Sequence, residues 1–181
     1  MFMRFTLPEI LCNRYICRMN YFELFELPVA PEVDKSVLAK KYFELQKKFH
    51  PDFFTNETDE EKETVLQQSA DINKAYKIFQ SRDKTIEYFL QQKNIIATDE
   101  KYTLPPDFLM EMMELNEGLS ESEPVQTENK VSVYEAGLQE DIQPVLMNYD
   151  EQLTTDAELQ KLKAFYYKKK YLNRILERLG D

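Results

Sequence analysis

The chain has no tryptophan, one histidine, two cysteines and three glycines among its 181 residues. Each shortage excludes a class of chemistry. Gly118, Gly137 and Gly180 never cluster, whereas a phosphate-cradling loop needs several close glycines to bring backbone near phosphate. The single histidine, His50, removes histidine-based metal centres. No serine or cysteine motif accompanies it to form a nucleophile–base pair. Cys12 and Cys17 stand at C-x4-C spacing with no further Cys or His nearby, a poor zinc site. They read as free thiols, which suits a reducing compartment. No apolar run approaches the ~20 residues that a membrane-spanning helix needs. Positive charge is also short: 23 Lys and Arg against 33 Asp and Glu give a formal charge of −10. A surface that acidic repels phosphate backbones, so nucleic acid is not an expected partner. What is present, 43% hydrophobic and 31% charged residues, suffices to bury a core. The expectation is an all-α interaction protein, not an enzyme, with no cofactor, no metal site and no membrane partner.

Residues 1–19, MFMRFTLPEILCNRYICRM, carry Arg4, Arg14 and Arg18 against one acid, Glu9. The stretch reads as an over-long start, with Met19 the true initiator. The alternative is a mitochondrial leader, which is base-biased and acid-poor, but here serine is scarce and Pro8 interrupts. The expected location is the cytoplasm, or the mitochondrial matrix if the leader is real.

The remainder divides into residues 20–92, a hinge at 93–105 ending in Pro105-Pro106, and residues 106–181. Pro28 and Pro31 close a short aromatic segment, Tyr21 to Leu27. A helix is predicted from Asp34, a plausible N-cap, to Phe49. Leu38, Tyr42, Leu45 and Phe49 form its apolar face, and Lys40, Lys41, Lys47 and Lys48 lie largely off that stripe. It stops at His50-Pro51, because the residue before a proline avoids helical geometry. After the loop PDFFTNETD, a second helix is predicted over 60–80. Val65, Ile72, Tyr76 and Phe79 face inward there, with Ala70 and Ala75 permitting close approach. The pair makes a helical hairpin. A short helix at 84–91 follows. Beyond the hinge, helices are predicted at 108–119, 130–149 and 156–179, with an acidic linker, SESEPVQTEN, after the first. Pro144 is expected to kink the second, and Thr155 or Asp156 to cap the third.

His50-Pro51-Asp52 sits at the tip of the hairpin, after a lysine-faced helix and before a helix ending in Asn73-x-Ala75-Tyr76. With YFELFELP, FHPDFF, QQSADINKAYKIF and RDKTIEYFL, residues 20–92 resemble the J-domain, the module that stimulates DnaK-type ATPase chaperones. Together with NYFELF, HPDFF, QQSADIN and FLMEMMEL, residues 20–181 resemble the HscB family of J-proteins, which serve iron–sulfur cluster assembly. The resemblance is strong through Leu119 and looser after it. It implies a J-domain followed by a three-helix bundle. The first would engage an HscA- or DnaK-type chaperone, and the second an IscU-type cluster scaffold. His50, Pro51, Asp52 and the lysines 40, 41, 47 and 48 would then contact the chaperone: Lys40, Lys41, Lys47 and Lys48 by steering, and the turn by docking with little entropy to lose. His50 would be a contact residue, not a general base. The plain alternative is an exposed turn with a capping aspartate.

Leu109, Met110 and Met113 share one side of a predicted helix, and Glu114, Glu117 and Glu121 track beside them. Methionines adapt to a gripped partner, and flanking carboxylates set specificity. Alone, such a methionine stripe is more often core, and such a glutamate run is usually a solvated helix face. The resemblance places scaffold contacts on it. The family also carries an aromatic in a K-L-[KR]-[FY] context on the last helix. Here the sequence is Lys161-Leu162-Lys163-Ala164-Phe165-Tyr166, with the aromatic one residue late. One residue is about 100° of helix rotation, so Phe165, assigned to the scaffold contact, is turned from the family's aromatic position, and Met112 and Glu111 are expected to face elsewhere. Two alternatives stand beside this reading: a general J-domain co-chaperone with another client, and an enzyme using His50 and Asp52 as an acid–base pair.

Overall fold

Helix starts in this chain are written in capping residues, and the structure uses them. In the computed structural model, Asn20 accepts from the Glu23 amide at 2.9 Å while Glu23 returns a bond to the Asn20 amide. Thr58 and Glu61 form the same reciprocal box, as do Thr155 and Glu158. Each box satisfies two of the amides that a helix start leaves unpaired. Asp34 accepts from the amides of Ser36 and Val37, and these bonds, with one from the Ser36 hydroxyl, hold its carboxyl below the usual range.

The structure describes residues 20–54, 58–97, 100–121 and 124–180, apart from the side chains of 51, 116–121, 124–128 and 178–180. The expected leader, with Cys12 and Cys17, lies outside them. The described residues form seven α-helices and no strand. They are α1 (Tyr21–Leu24), α2 (Lys35–Lys48), α3 (Asp59–Gln80), α4 (Arg82–Gln92), α5 (Pro106–Glu121), α6 (Pro124–Met147) and α7 (Asp156–Gly180), with a 3-10 turn at Pro51–Phe54. The all-α expectation holds. Two boundaries moved for the same reason. Pro106 and Pro124 are first residues of α5 and α6, where a fixed φ suits the helix and the missing amide costs nothing. Much of the stretch read as an acidic linker is therefore helix. Pro144 lies inside α6, which continues through it and ends three residues later. Thr155, not Asp156, is the cap of α7.

Two compact units meet in sequence between Tyr88 and Phe89. The first is built on aromatics. Phe22, Phe25, Leu38, Ile72, Ala75, Phe79 and Ile86 are fully buried. Phe79 lies 4.8 Å from Phe22 and 5.9 Å from Phe25, centroid to centroid, so α1 docks on α3 through rings. The Tyr21 amide donates to the Tyr88 hydroxyl at 2.8 Å. The α2–α3 hairpin is tied by polar groups at its middle. Asn73 Oδ1 accepts from Tyr42 Oη at 2.8 Å and from Gln46 Nε2 at 3.0 Å, and the Tyr42 and Tyr76 rings stack at 3.9 Å. Ala75 is buried against this contact, as expected, but Ala70 faces solvent. Five residues put the two alanines on different faces.

The second unit buries Phe108 and Met112 of α5, Val131 of α6, and Leu172 and Ile175 of α7 in one core. Asn94, in the left-handed region at φ 56°, closes α4. The Ile95 amide reaches the Leu90 carbonyl and the Asn94 amide the Gln91 carbonyl, the paired bonds of a Schellman end. The segment that follows was read as a hinge. It is tied to α7: Lys163 Nζ donates to the Ile95 carbonyl at 2.9 Å and meets Glu100 Oε1 at 2.6 Å, and Tyr102 stacks on Tyr167 at 4.3 Å.

Candidate functional site

The first candidate is the turn after α2. Phe49 caps α2 and is buried, so the chain is anchored immediately before His50. Pro51 then opens the 3-10 turn, with φ fixed by its ring. The Asp52 amide donates to His50 Nδ1 at 3.3 Å. An accepting Nδ1 leaves the ring proton of the neutral imidazole on Nε2, where it is a donor. The Asp52 carboxylate stands 3.7 Å from Nδ1, beyond hydrogen-bond reach. The two side chains are 47% and 84% exposed. They are thus presented side by side, a donor and an acceptor, on a short braced turn. The side chain of Pro51 lies outside the described residues.

The four lysines expected beside this turn do not share one state. Lys41 pairs with Glu26, and that hydrogen bond raises the Lys41 ammonium and lowers the Glu26 carboxyl relative to their ordinary values. Glu26 itself is held at φ 51° in the turn that ends α1. Lys48 sits over the Phe49 ring at 5.2 Å. Lys40 and Lys47 are exposed and form no ion pair among the described residues. Sequence reasoning missed Phe43, 71% exposed on the same helix, and Phe53, exposed with its ring 5.8 Å from that of His50. The signal for Phe43 was its absence from the Leu38, Tyr42, Leu45 and Phe49 stripe.

The second candidate is α5. Met112 and Phe108 turn into the core, which leaves Met110 and Met113 at 63% and 60% exposed with Glu114 beside them. Leu109 is half-buried, packed against the core below this face. Glu117 and Glu121 belong to α5, but their side chains lie outside the described residues. Glu111 is turned toward α6. It accepts the Tyr134 hydroxyl proton, and burial of Tyr134 together with that bond pushes the phenol up to about 12. Glu111, Glu114, Leu115, Lys130 and Tyr134 line a groove along α5 and α6.

Phe165 lies elsewhere than a surface contact would. It is 5% exposed and packs inward, and it shares a shallow cleft with Leu138, Ile142, Ala164 and Lys168. The one-residue offset explains this. Leu162, Phe165, Leu172 and Ile175 fall on the buried face of α7, and a partner reaches Phe165 only through the cleft. Among the described residues no cluster of three or more His, Cys, Asp or Glu could hold a metal ion, and no helix is long and apolar enough to cross a membrane.

Comparison with known proteins agrees with this architecture. A family model described as the HSCB C-terminal oligomerisation domain matches residues 104–180. A co-chaperone protein HscB homolog from Shewanella halifaxensis is 32% identical over 174 residues, which cover 90% of this chain and 100% of that protein. Another, from Vibrio cholerae, is 44% identical over 102 residues, and there the match spans 60% of that protein's length. Among solved structures, chaperone HscB from Vibrio cholerae aligns with a TM-score of 0.59 at 34% identity, over 89% of this chain and 99% of that one. The human co-chaperone protein HscB aligns with a TM-score of 0.74 at 26% identity, over 90% of this chain and 81% of that one.

Proposed function

The chain belongs to the HscB family of co-chaperones, and from that premise we propose that it stimulates ATP hydrolysis by a DnaK- or HscA-type chaperone and delivers an IscU-type iron–sulfur scaffold to it. The observation that carries the reading is the braced turn at 50–52, where the His50 ring, held through Nδ1, and the Asp52 carboxylate are both open to solvent. A turn already fixed by Pro51, the Phe49 anchor and the Asp52 amide loses little entropy on docking. Its mechanism is binding, not proton transfer. The turn docks more tightly on the hydrolysis-competent conformation of the chaperone, and so shifts the chaperone population toward it.

The scaffold grip is the face of Leu109, Met110, Met113 and Glu114. Exposed methionines supply apolar area that adapts to a partner, and the carboxylate orients it. Phe165 enters this contact only by way of the cleft it lines.

The test is single-turnover ATP hydrolysis by the cognate chaperone, measured with the co-chaperone, with the scaffold and with both. Stimulation by each and synergy by the pair are expected. His50→Gln is expected to fold normally and to abolish the co-chaperone's share. Full stimulation by that variant would overturn the reading.

A further inference from the structure

Resting on the chaperone reading above, we infer that Phe43 is the apolar anchor of the chaperone contact, that Lys40 and Lys47 form its cationic rim, and that Lys41 takes no part. Lys40, Phe43 and Lys47 stand at i, i+3 and i+7 on α2, neighbours on one face. Leu38 and Phe49 point the other way, into the core. Phe43 is left 71% exposed, and its ring meets no other aromatic among the described residues. A single exposed apolar residue is ordinary on a protein surface. This one is flanked by two cations that form no ion pair among the described residues, on the helix that leads into the His50 turn, and a second exposed ring, Phe53, lies 5.8 Å from the His50 ring.

An aromatic centre inside a charged rim is the layout in which the centre carries the affinity and the rim excludes water and selects the partner. The rim here is net positive, two lysines against the exposed Glu44. The matching surface on the ATPase chaperone is therefore an apolar recess bordered by carboxylates, continuous with the place where the His50 turn docks. Lys41 cannot serve that rim without releasing Glu26, which fixes the turn behind α1.

Single-turnover ATP hydrolysis by the chaperone, titrated with wild type, Phe43→Ala, Phe43→Ser, Lys41→Gln and His50→Gln, tests this. Both Phe43 variants are expected to raise the half-maximal concentration about tenfold, with the plateau rate and the melting curve unchanged. Lys41→Gln is expected to leave the half-maximal concentration as in wild type. An unchanged half-maximal concentration for Phe43→Ala and Phe43→Ser, a lowered plateau in their place, or a loss for Lys41→Gln equal to theirs overturns the inference. In those cases wild type still stimulates and His50→Gln does not, so the underlying reading stands. A wild type without stimulation, or a fully active His50→Gln, removes both.

Discussion

The two halves of the chain differ in what they bury and in what they show the solvent. Residues 20–93 carry 14 acids and 11 bases, whereas residues 94–181 carry 18 and 9. The first half spends its aromatics on a core of Phe22, Phe25 and Phe79 and shows the solvent a turn with fixed polar groups. The second has a core of Phe108, Met112, Val131, Leu172 and Ile175 and shows the solvent flexible methionines. A rigid polar turn can distinguish two conformations of one partner, because it fits one geometry. A methionine face holds a partner whose surface it must mould to. The contrast matches the division of labour proposed above, one surface for a chaperone and another for a scaffold.

The largest expected effect separates the halves outright. His50→Gln should lose chaperone stimulation entirely and bind the scaffold as wild type does, by calorimetry. The reciprocal variant, Met110→Ala with Met113→Ala, should weaken scaffold binding by about ten- to a hundredfold, since truncating central apolar contacts costs roughly 1–3 kcal/mol in all. Its stimulation of the chaperone in the absence of scaffold should not change. Both side chains are mostly exposed, so the melting temperature should hold. If either variant damages both activities, the two surfaces are not independent and the comparison fails.

A smaller effect concerns what ties α2 to α3 in the first half. Asn73 accepts two hydrogen bonds from α2, and Asn73→Ala leaves Tyr42 Oη and Gln46 Nε2 without that acceptor in a half-buried contact. A loss of about 1–3 kcal/mol is expected, read from urea unfolding of the intact chain. The Met110 and Met113 variants should show no such loss.

Much of this was legible in the residues. The caps Asp34 and Thr155 are short-range chemistry, and short-range chemistry can be read from the residues that precede a helix. The inward stripe of Leu38 and Phe49 followed from helical period, and so did the separation of Met112 from Met113. What was not legible depends on partners distant in sequence. Nothing near Lys41 announces Glu26, and nothing near Lys163 announces Ile95 or Glu100. The four lysines of α2 look alike in sequence and differ only once the fold has assigned Lys41 an acid and Lys48 a ring. Phe165 shows the same limit. The offset in Lys163-Ala164-Phe165 was visible, but that it turned the ring inward needed the position of α6.

The smallest effect tests the segment between the halves. Lys163 holds the Ile95 carbonyl and the Glu100 carboxylate, both from the stretch that composition marked as a hinge. The Lys163 hydrogen bond, joined by one from the Ala97 amide, keeps the Glu100 carboxyl below its ordinary value. A carboxyl lowered in the folded state stabilises that state at neutral pH, and the contribution fades as pH falls through the lowered value. Amide protection at residues 95–97 and 100–102, taken relative to the intrinsic exchange rate at each pH, should therefore be high in wild type at neutral pH and fall on acidification. Lys163→Gln should exchange faster at neutral pH and lose most of that acid dependence, while His50 function and scaffold affinity stay as they were. Equal protection in wild type and variant would mean that Tyr102, stacked flat on Tyr167, holds the segment without the ion pair.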